Sequence, residues 1–260
     1  WSMYFDGSDV GITNDINAFH LEDDGTLLLS FEVPTTLADV GSVDRADIGR
    51  FTPTSLGATT AGSFSWVFDG SDVEFDTASE NVDAIGRAPD GRLVVSTLGS
   101  YAVTDSGSNA LSGDDRDLLI FTATTLGETT VGTWDLYFDG SDVAMTTASE
   151  DIWDIWIDPA TGNLYLNTYL NFNVNSTNSL SGDGDDIFIC APGSLGETTE
   201  CTFYPFWDGD VTGFNFYVDS MSIGGSVPAV NASAAPRRLS PEEEAAAALT
   251  ERVFLPLVVR

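Results

Sequence analysis

Aspartates are the residues of this chain with the most evident capacity for chemistry, and they recur in two loop sets. The first set lies in or near the string Phe-Asp-Gly-Ser-Asp-Val: Asp6, Asp9, Asp69, Asp72, Asp139 and Asp142, with a degraded copy at Asp208 and Asp210. The second set has the same internal spacing: Asp44, Asp47, Asp114, Asp117, Asp183 and Asp186. Clustered carboxylates are the ligands that a hard cation such as Ca²⁺ prefers. Calcium is therefore the one cofactor that the sequence suggests.

The same aspartates also have a purely structural explanation. None of these loops follows the spacing of an EF-hand, and aspartate is a common capping residue of tight turns because its side chain accepts backbone hydrogen bonds. Calcium binding and turn capping both remain open from the sequence alone.

Catalytic chemistry finds little support. His20 is the only histidine, and the repeats align it with Gly86 and Trp156, so it indicates a tolerated strand position. The chain has no histidine cluster for zinc and no glycine-rich phosphate loop. With 41 acidic residues, carboxylate pairs at glycosidase distances would arise by accident. We predict that the protein is not an enzyme and assign no catalytic residue.

Cys190 and Cys201 are the only cysteines. The alignment of the repeats places them where other units have a phenylalanine and a glycine: Phe51 with Gly62, and Phe121 with Gly132. Because a large residue facing a glycine becomes a pair of cysteines, we predict a disulfide across two neighbouring strands, and with it an oxidising compartment. Two buried free thiols are the alternative.

A tandem repeat must position these residues. The string Phe-Asp-Gly-Ser-Asp-Val starts at Phe5, Phe68 and Phe138, and a degraded Trp-Asp-Gly-Asp-Val starts at Trp207. The intervals from Asp6 to Asp69, Asp139 and Asp208 are 63, 70 and 69 residues. We therefore expect four copies of a unit of roughly 70 residues.

Each unit has a series of short strand-like segments joined by turn residues, with no helical periodicity, which predicts an all-β fold. Four strands per unit are typical of the blades of a β-propeller, and a solenoid is the rival architecture. The segment Trp1–Asp6 would be a last strand without its own blade, and the fourth unit would stop after a first strand (213–219) and a second (220–224). We predict a four-bladed propeller over residues 1–225, closed by the N-terminal strand.

The remaining residues form a different segment. Residues 226–239 are rich in Pro, Ala and Ser and indicate a linker. Residues 240–260 predict an arm made of a helix (241–252) and a strand (253–259), which aligns with the third strand of the other units. We predict that this strand fills the fourth blade of a neighbouring copy, with the fourth blade of its own chain as the alternative, through five assembly residues: Val253, Phe254, Leu255, Leu257 and Val258.

Charge excludes some partners. The chain has 9 arginines, no lysine and 41 acids, for a formal net charge of −32. Nucleic acids and anionic membranes need a cationic surface, so neither is an expected partner, and no apolar stretch is long enough for membrane insertion. The chain starts within a repeat motif, from which we expect a mature product without its signal peptide. Asn175 and Asn231 lie in glycosylation sequons.

The hexamers, followed by Glu-Asp-Ile or Asn-Asp-Ile and by Asp-Gly-Arg-Leu, resemble repeats of secreted bacterial proteins. Those repeats often accompany cadherin-like or other adhesive modules. The terminal Leu-Pro-Leu-Val-Val-Arg is similar to the tails of some secreted proteins of filamentous thermophilic bacteria. The resemblance covers residues 1–225 and implies an extracellular, adhesive or structural role, with no catalytic residue to transfer.

Three functions follow as hypotheses. The first is a subunit of an extracellular filament or surface layer, a cell-surface appendage in which the protein is its own head-to-tail partner. The second is a calcium-dependent adhesin or carbohydrate-binding module that recognises surface glycans, for which five aromatic residues of the third unit could stack on sugars or form core: Trp153, Trp156, Tyr165, Tyr169 and Phe172. The third is a secreted hydrolase.

Overall fold

The fold is all-β and is built from repeated antiparallel sheets. The computed structural model describes residues 2–214 and 216–224 and the backbone of residues 252–254. Three sheets have four strands each, numbered in chain order. The first sheet contains β1 (Ile16–Leu21), β2 (Leu27–Phe31), β5 (Ile48–Ser55) and β6 (Ala61–Phe68). The second sheet contains β7 (Val82–Arg87), β8 (Leu93–Thr97), β11 (Leu118–Thr125) and β12 (Val131–Phe138). The third sheet contains β13 (Ile152–Ile157), β14 (Leu164–Thr168), β17 (Ile187–Ser194) and β18 (Glu200–Trp207).

Smaller elements complete the described chain. In each of the first three units, one two-stranded hairpin lies in the chain between the second and third strands of the sheet. The hairpins are β3 (Thr35–Leu37) with β4 (Gly41–Val43), β9 (Tyr101–Thr104) with β10 (Ala110–Gly113), and β15 (Phe172–Asn175) with β16 (Ser179–Gly182). A last pair joins β19 (Ser222–Gly224) to β20 (Arg252–Phe254). The helices are short: α1 (Gly209–Thr212) and the 3₁₀ turns Gly7–Val10, Ser71–Val73, Ala78–Glu80, Ser141–Val143 and Ala148–Glu150.

The hairpins were not predicted from the sequence. Burial alternates along β9 and β15. Tyr101 and Val103 on β9, and Phe172 and Val174 on β15, are buried, and the residue that follows each of them is exposed. That alternation is the period of a strand with one covered face. The signal was therefore present, but four residues are too few for a periodicity to stand out.

The second strand of each sheet lies between two others, and its sequence reflects this position. All five residues of β2, β8 and β14 are buried. The turn before each of these strands contains a glycine with positive φ: Gly25, Gly91 and Gly162 at 83°, 86° and 74°. Because glycine adopts this region without steric cost, the predicted hairpin turns form where the sequence places them.

The hexamer phenylalanines join one unit to the next. The ring of Phe5 lies 5.1 Å from that of Phe51, and Phe68 lies 5.3 Å from Phe121, in both cases edge to face. A Cβ atom on Gly62 would approach the Phe51 ring to 2.5 Å, so glycine is required opposite that ring. The repeated string therefore contributes core contacts between units.

The third unit replaces this phenylalanine–glycine contact with the predicted disulfide. Cys190 on β17 and Cys201 on β18 are bonded, with their Cα atoms 5.2 Å apart. Both are completely buried and pack in the same cluster as Phe138, the third hexamer phenylalanine. The prediction made from the exchange of residues between repeats is confirmed.

The N-terminal residues occupy the position of a last strand without forming one. No strand is assigned within residues 2–6. The Tyr4 carbonyl nevertheless accepts a hydrogen bond from Gly57 N, as the Val67 carbonyl does from Gly127 and the Tyr137 carbonyl does from Gly196. Residues 2–6 therefore contact the first sheet as β6 and β12 contact the sheets that follow them.

The fourth unit differs from its predicted strand order. Val218 N donates to the Gly184 carbonyl, which matches the bonds that anchor Val82 and Ile152 at the start of β7 and β13. Ser222–Gly224, predicted as part of a second strand, therefore lies in the position of a first strand. Val218 lies 10 residues after Asp208, whereas Val82 and Ile152 lie 13 residues after Asp69 and Asp139, and this shortening shifted the sequence alignment.

The C-terminal strand also has a different position in its sheet from the predicted one. Ile223 pairs with Val253, as Arg87 pairs with Leu93 between the first and second strands of the second sheet. β20 thus takes the position of a second strand, and its predicted alignment with third strands is wrong. Arg252, predicted as the last helical residue, begins this strand.

We predict that replacing both cysteines with serine lowers the free energy of unfolding by about 3 kcal/mol, because the crosslink closes a loop with a sequence separation of 11. The matched control is C190F/C201G, which restores the pair found in the other two units and should lose less. Denaturant unfolding of the three proteins measures the difference. Equal losses in both variants would contradict the packing equivalence of the disulfide and the phenylalanine–glycine contact.

Candidate functional site

The first set of predicted calcium ligands joins one unit to the next through a pair of hydrogen bonds with a threonine, which we call the clasp. Asp6 N donates to Thr60 Oγ1, and Thr60 N donates back to Asp9 Oδ2, at 2.9 and 2.8 Å. The equivalent bonds connect Asp69, Asp72 and Thr130, and Asp139, Asp142 and Thr199. Asp6, Asp69 and Asp139 also accept from the serine two residues later, and Asp208 in the degraded copy accepts from Val211 N.

The second set forms a similar clasp before the third strand of each sheet. Asp47 accepts from Asp44 N at 2.7 Å and from Gly70 N at 3.1 Å. Asp117 accepts from Asp114 N and Gly140 N in the same way, and Asp186 accepts from Asp183 N. Burial raises the pKa of Asp47 to about 6. These contacts assign a turn-capping role to the predicted ligands, and calcium binding at them stays a prediction.

One group of acidic side chains within the described residues has the spacing of a metal site. Oxygens of Asp183, Asp185 and Asp186 lie within 4.8 Å of one another. Asp185 was not predicted, and it stands where the second unit has Arg116, which pairs with Asp114. Burial and the neighbouring Asp183 raise the pKa of Asp185 to about 7. At this position the third unit therefore has an additional acidic side chain, where the second unit has a positively charged one.

A second acidic region lies where the first strands begin. Asp83 on β7 and Asp154 on β13 are 3% and 0% exposed, and no described residue gives either oxygen of these carboxylates a hydrogen bond of normal geometry. Burial raises the pKa of both groups well above the ordinary value. Burial also raises the pKa of the nearby Asp151 to about 8.

Other buried carboxylates in the same units are fully satisfied. Glu150 accepts from the backbone N–H groups of Thr146, Thr147 and Asn173 and from the Thr147 hydroxyl. Burial by itself would raise the pKa of Glu150, but these donors hold it below the ordinary value. The difference singles out the region of Asp83 and Asp154, which the sequence analysis missed because the residues lie within apolar strands.

A cavity of about 730 Å³ lies at the opposite ends of the first strands. Its lining includes His20, Arg87, Trp156 and Ser222, one from each of the four units. Arg87 pairs with Glu22 at 2.7 Å. Burial lowers the pKa of His20 to about 4, so this histidine is neutral near pH 7. His20 was predicted as an ordinary strand position, and the structure adds that it lines this cavity.

The predicted aromatic residues of the third unit divide into two groups. Trp156, Tyr165 and Phe172 are buried and belong to the core. Trp153 and Tyr169 lie at the surface with Tyr217, and the three ring centroids are 4.4 to 6.1 Å apart. A Cβ atom on Gly184 would touch the Tyr217 ring at 2.8 Å, which places this aromatic surface beside the Asp183, Asp185 and Asp186 group.

The other predicted residues have different outcomes. Asn175, at the end of β15, is exposed, and Asn231 lies outside the described residues. Val253 and Phe254 belong to β20, while Leu255, Leu257 and Val258 lie outside the described residues, as do the linker 226–239 and most of the arm. In the described part of the chain, no helix has the length and apolar character needed to cross a membrane.

Comparisons with known proteins identify no family. No protein-family model matches the chain, and no curated protein matches it. A solved structure that it resembles is the extracellular domain of a protein described as a one component system, BT4673 from B. thetaiotaomicron. The identity is 14%, over 78% of this chain and 31% of the other, with a TM-score of 0.29, which is too low to establish a common fold.

We predict that D72A lowers the free energy of unfolding by about 1–3 kcal/mol, because the buried Thr130 N–H loses its acceptor. D72N keeps an acceptor oxygen and should lose less. E128A, an exposed change in the same loop, is the control and should fall within about 0.5 kcal/mol of the parent. Thermal or denaturant unfolding gives the values. A D72A protein as stable as E128A would contradict the clasp.

Proposed function

We propose that the protein is an extracellular structural subunit of a filament or surface layer, assembled head-to-tail by donation of its C-terminal strand. The observation that carries this proposal is the incomplete fourth sheet. Among the described residues, the fourth unit has two strands, β19 and β20, where each of the other units has a four-stranded sheet. An incomplete sheet presents backbone donors and acceptors that another strand can pair with.

A four-bladed propeller is the arrangement that we propose for the units. Two observations support it. β7 packs against both β1 and β13, so the first strands of three units lie together. The cavity that contains His20 and Ser222 adds the fourth unit to the same centre. We propose that residues 2–6 close the ring by serving as the last strand of the fourth blade.

Strand donation would reuse a contact that the chain makes with itself. In this structure β20 pairs with β19 of the same chain, through Ser222 with Phe254 and Gly224 with Arg252. The 27 residues between Gly224 and Arg252 could span about 90 Å if extended. An identical strand from a second copy would form the same backbone bonds. Such an exchange uses different surfaces on donor and acceptor, so it builds open chains unless the rotation closes a ring.

An extracellular location fits the covalent chemistry of the chain. The Cys190–Cys201 disulfide persists in oxidising compartments and is rare in the cytosol. The net charge of −32 would repel copies at long range, so short-range contacts such as strand pairing must overcome that repulsion during assembly. Divalent cations or salt would therefore promote assembly.

We predict that S222C/F254C crosslinks spontaneously, because these residues face each other in the β19–β20 register. If strands are exchanged, oxidation should yield covalent dimers and longer ladders on non-reducing gels that collapse to monomers with reductant. S222C/R252C, two residues out of register, is the matched control and should crosslink poorly. An S222C/F254C protein that forms only an intramolecular crosslink at every concentration would contradict strand donation.

A carbohydrate-binding adhesin is the second candidate, and the aromatic surface of Trp153, Tyr169 and Tyr217 favours it. Exposed aromatic rings give sugars an apolar surface to stack on, and Tyr169 and Tyr217 are 37% and 52% exposed. The adjacent acidic group could add calcium-dependent contacts to sugar hydroxyls.

The two candidates separate in a glycan-binding experiment. If the protein is a lectin, W153A and Y169A should each weaken glycan binding by about fivefold, since one stacked ring contributes on the order of 1 kcal/mol. F216A, which removes an exposed ring outside the trio, is the control. An array on which the parent protein and W153A behave alike would remove this candidate and leave the filament proposal untouched.

A further inference from the structure

The cavity that all four units line has side chains that the repeats do not share. The fifth residue of the first strand is His20 in the first unit and Trp156 in the third. Ser222 takes this place in the fourth unit, because Val218 matches Val82 in its anchoring bond. The preceding position is a buried apolar residue in every unit: Phe19, Ile85, Ile155 and Met221. The units have therefore diverged at the cavity where the adjacent core position has not.

Two arginines of the cavity stand at positions that are apolar in other units. The register between the second and third strands equates Arg50 with Ile120 and Ile189, which are both 3% exposed. Arg87 pairs with the residue that begins the next strand, and the other units have an apolar residue in this place: Leu21, Ile157 and Ile223. A charged group that replaces an apolar one in a core is costly unless its charge is compensated.

The two guanidinium groups share one carboxylate. Arg87 Nε and Nη2 donate to Glu22 Oε1 at 3.1 and 2.7 Å, and Arg50 Nη2 lies 3.6 Å from the same oxygen. Arg50 Nε is buried and has no hydrogen-bond partner among the described residues. His20 adds no charge near pH 7, because burial lowers its pKa to about 4. This group of side chains therefore has one positive charge more than it has negative charges.

Two further acids line the cavity, and both are exposed. Asp23 and Asp24 follow Glu22 in the first hairpin turn. Asp24 Oδ1 accepts hydrogen bonds from Thr26 N and Thr26 Oγ1 at 2.9 and 2.7 Å. Water and salt screen exposed charges more strongly than partly buried ones. The guanidinium groups, which are the more covered, therefore dominate the field that a single anionic group would meet inside the cavity, while the exposed acids disfavour an anion of higher charge.

We propose that this cavity binds a small organic monocarboxylate, whose carboxylate contacts Arg50 and Arg87. Guanidinium groups bind carboxylates through charge-assisted hydrogen bonds, and one negative charge would balance the two arginines and Glu22. The body of the ligand would pack against the apolar part of the lining: Leu21, Trp156, Ile157 and Ile223. The volume of about 730 Å³ lies in the range of small-molecule sites. This proposal does not depend on filament assembly.

Titration of the full-length protein with three carboxylates tests the proposal. Benzoate, phenylacetate and hexanoate are the probes, and benzamide, phenylacetamide and hexanamide are their uncharged counterparts, all at constant ionic strength. At least one carboxylate should give a calorimetric binding signal and raise the melting temperature, because a ligand that binds only the folded state stabilises it. Its amide should bind at least tenfold more weakly, since it lacks the charge.

Two substitutions change the charge of the site in opposite directions. R50I introduces the residue of the other two units and leaves the Glu22–Arg87 pair intact. It should weaken carboxylate binding by roughly tenfold or more, because a charged donor is lost. E22Q removes the competing carboxylate and should strengthen binding severalfold. R92Q is the control, because Arg92 is an exposed arginine outside the cavity, and it should leave binding unchanged.

The melting temperature and circular dichroism of each variant without ligand verify that it folds. The proposal is wrong if none of the three carboxylates binds at millimolar concentration, if an amide binds as well as its acid, or if R50I binds as the parent does. Equal losses in R50I and R92Q would show a general charge effect and would also overturn it. If R50I does not fold, E22Q decides, and unchanged or weaker binding by E22Q contradicts the proposal.

Discussion

The pairing of exposed backbone groups is the constraint on which the organisation of this protein depends. A single unit of roughly 70 residues cannot bury both faces of its sheet or terminate its edges by itself. Each unit therefore places its hexamer phenylalanine in the next unit and clasps that unit through aspartate and threonine. Among the described residues, the fourth unit contributes only a short pair of strands, and this is where the constraint is not met.

The same constraint connects the fold to the proposed function. A sheet that lacks strands presents backbone groups that another strand can pair with. The C-terminal segment supplies such a strand, because β20 pairs with β19 although 27 residues lie between them in the sequence. A contact between segments that are distant in sequence can be made within one chain or between two, with the same backbone bonds. Under this account, assembly needs no new interface chemistry, only a change in which copy supplies the strand. The acidic surface would then keep assembled copies soluble.

Much of the architecture was predictable because the repeats could be compared with one another. The exchange of phenylalanine and glycine for Cys190 and Cys201 predicted a contact that the structure contains as a disulfide. The strand order of the fourth unit was not predictable, because this unit is three residues shorter between Asp208 and Val218 than the second unit is between Asp69 and Val82, which hides the equivalence of Val218 with Val82. The acidic region around Asp83 and Asp154 was also missed, since two acids within apolar strands have no distinctive spacing. Calcium binding was predicted at the turn aspartates, although backbone N–H groups donate hydrogen bonds to many of their oxygens.

The central claim is that the C-terminal strand joins one copy to the next. The most direct measurement compares the masses of the full-length protein and of a chain ending at residue 251 over a range of concentrations, by mass photometry and negative-stain microscopy. The account predicts head-to-tail oligomers or filaments for the full chain and soluble monomers for the shortened one. Filaments formed equally well without residues 252–260, or a full chain that remains monomeric at every concentration, would contradict it.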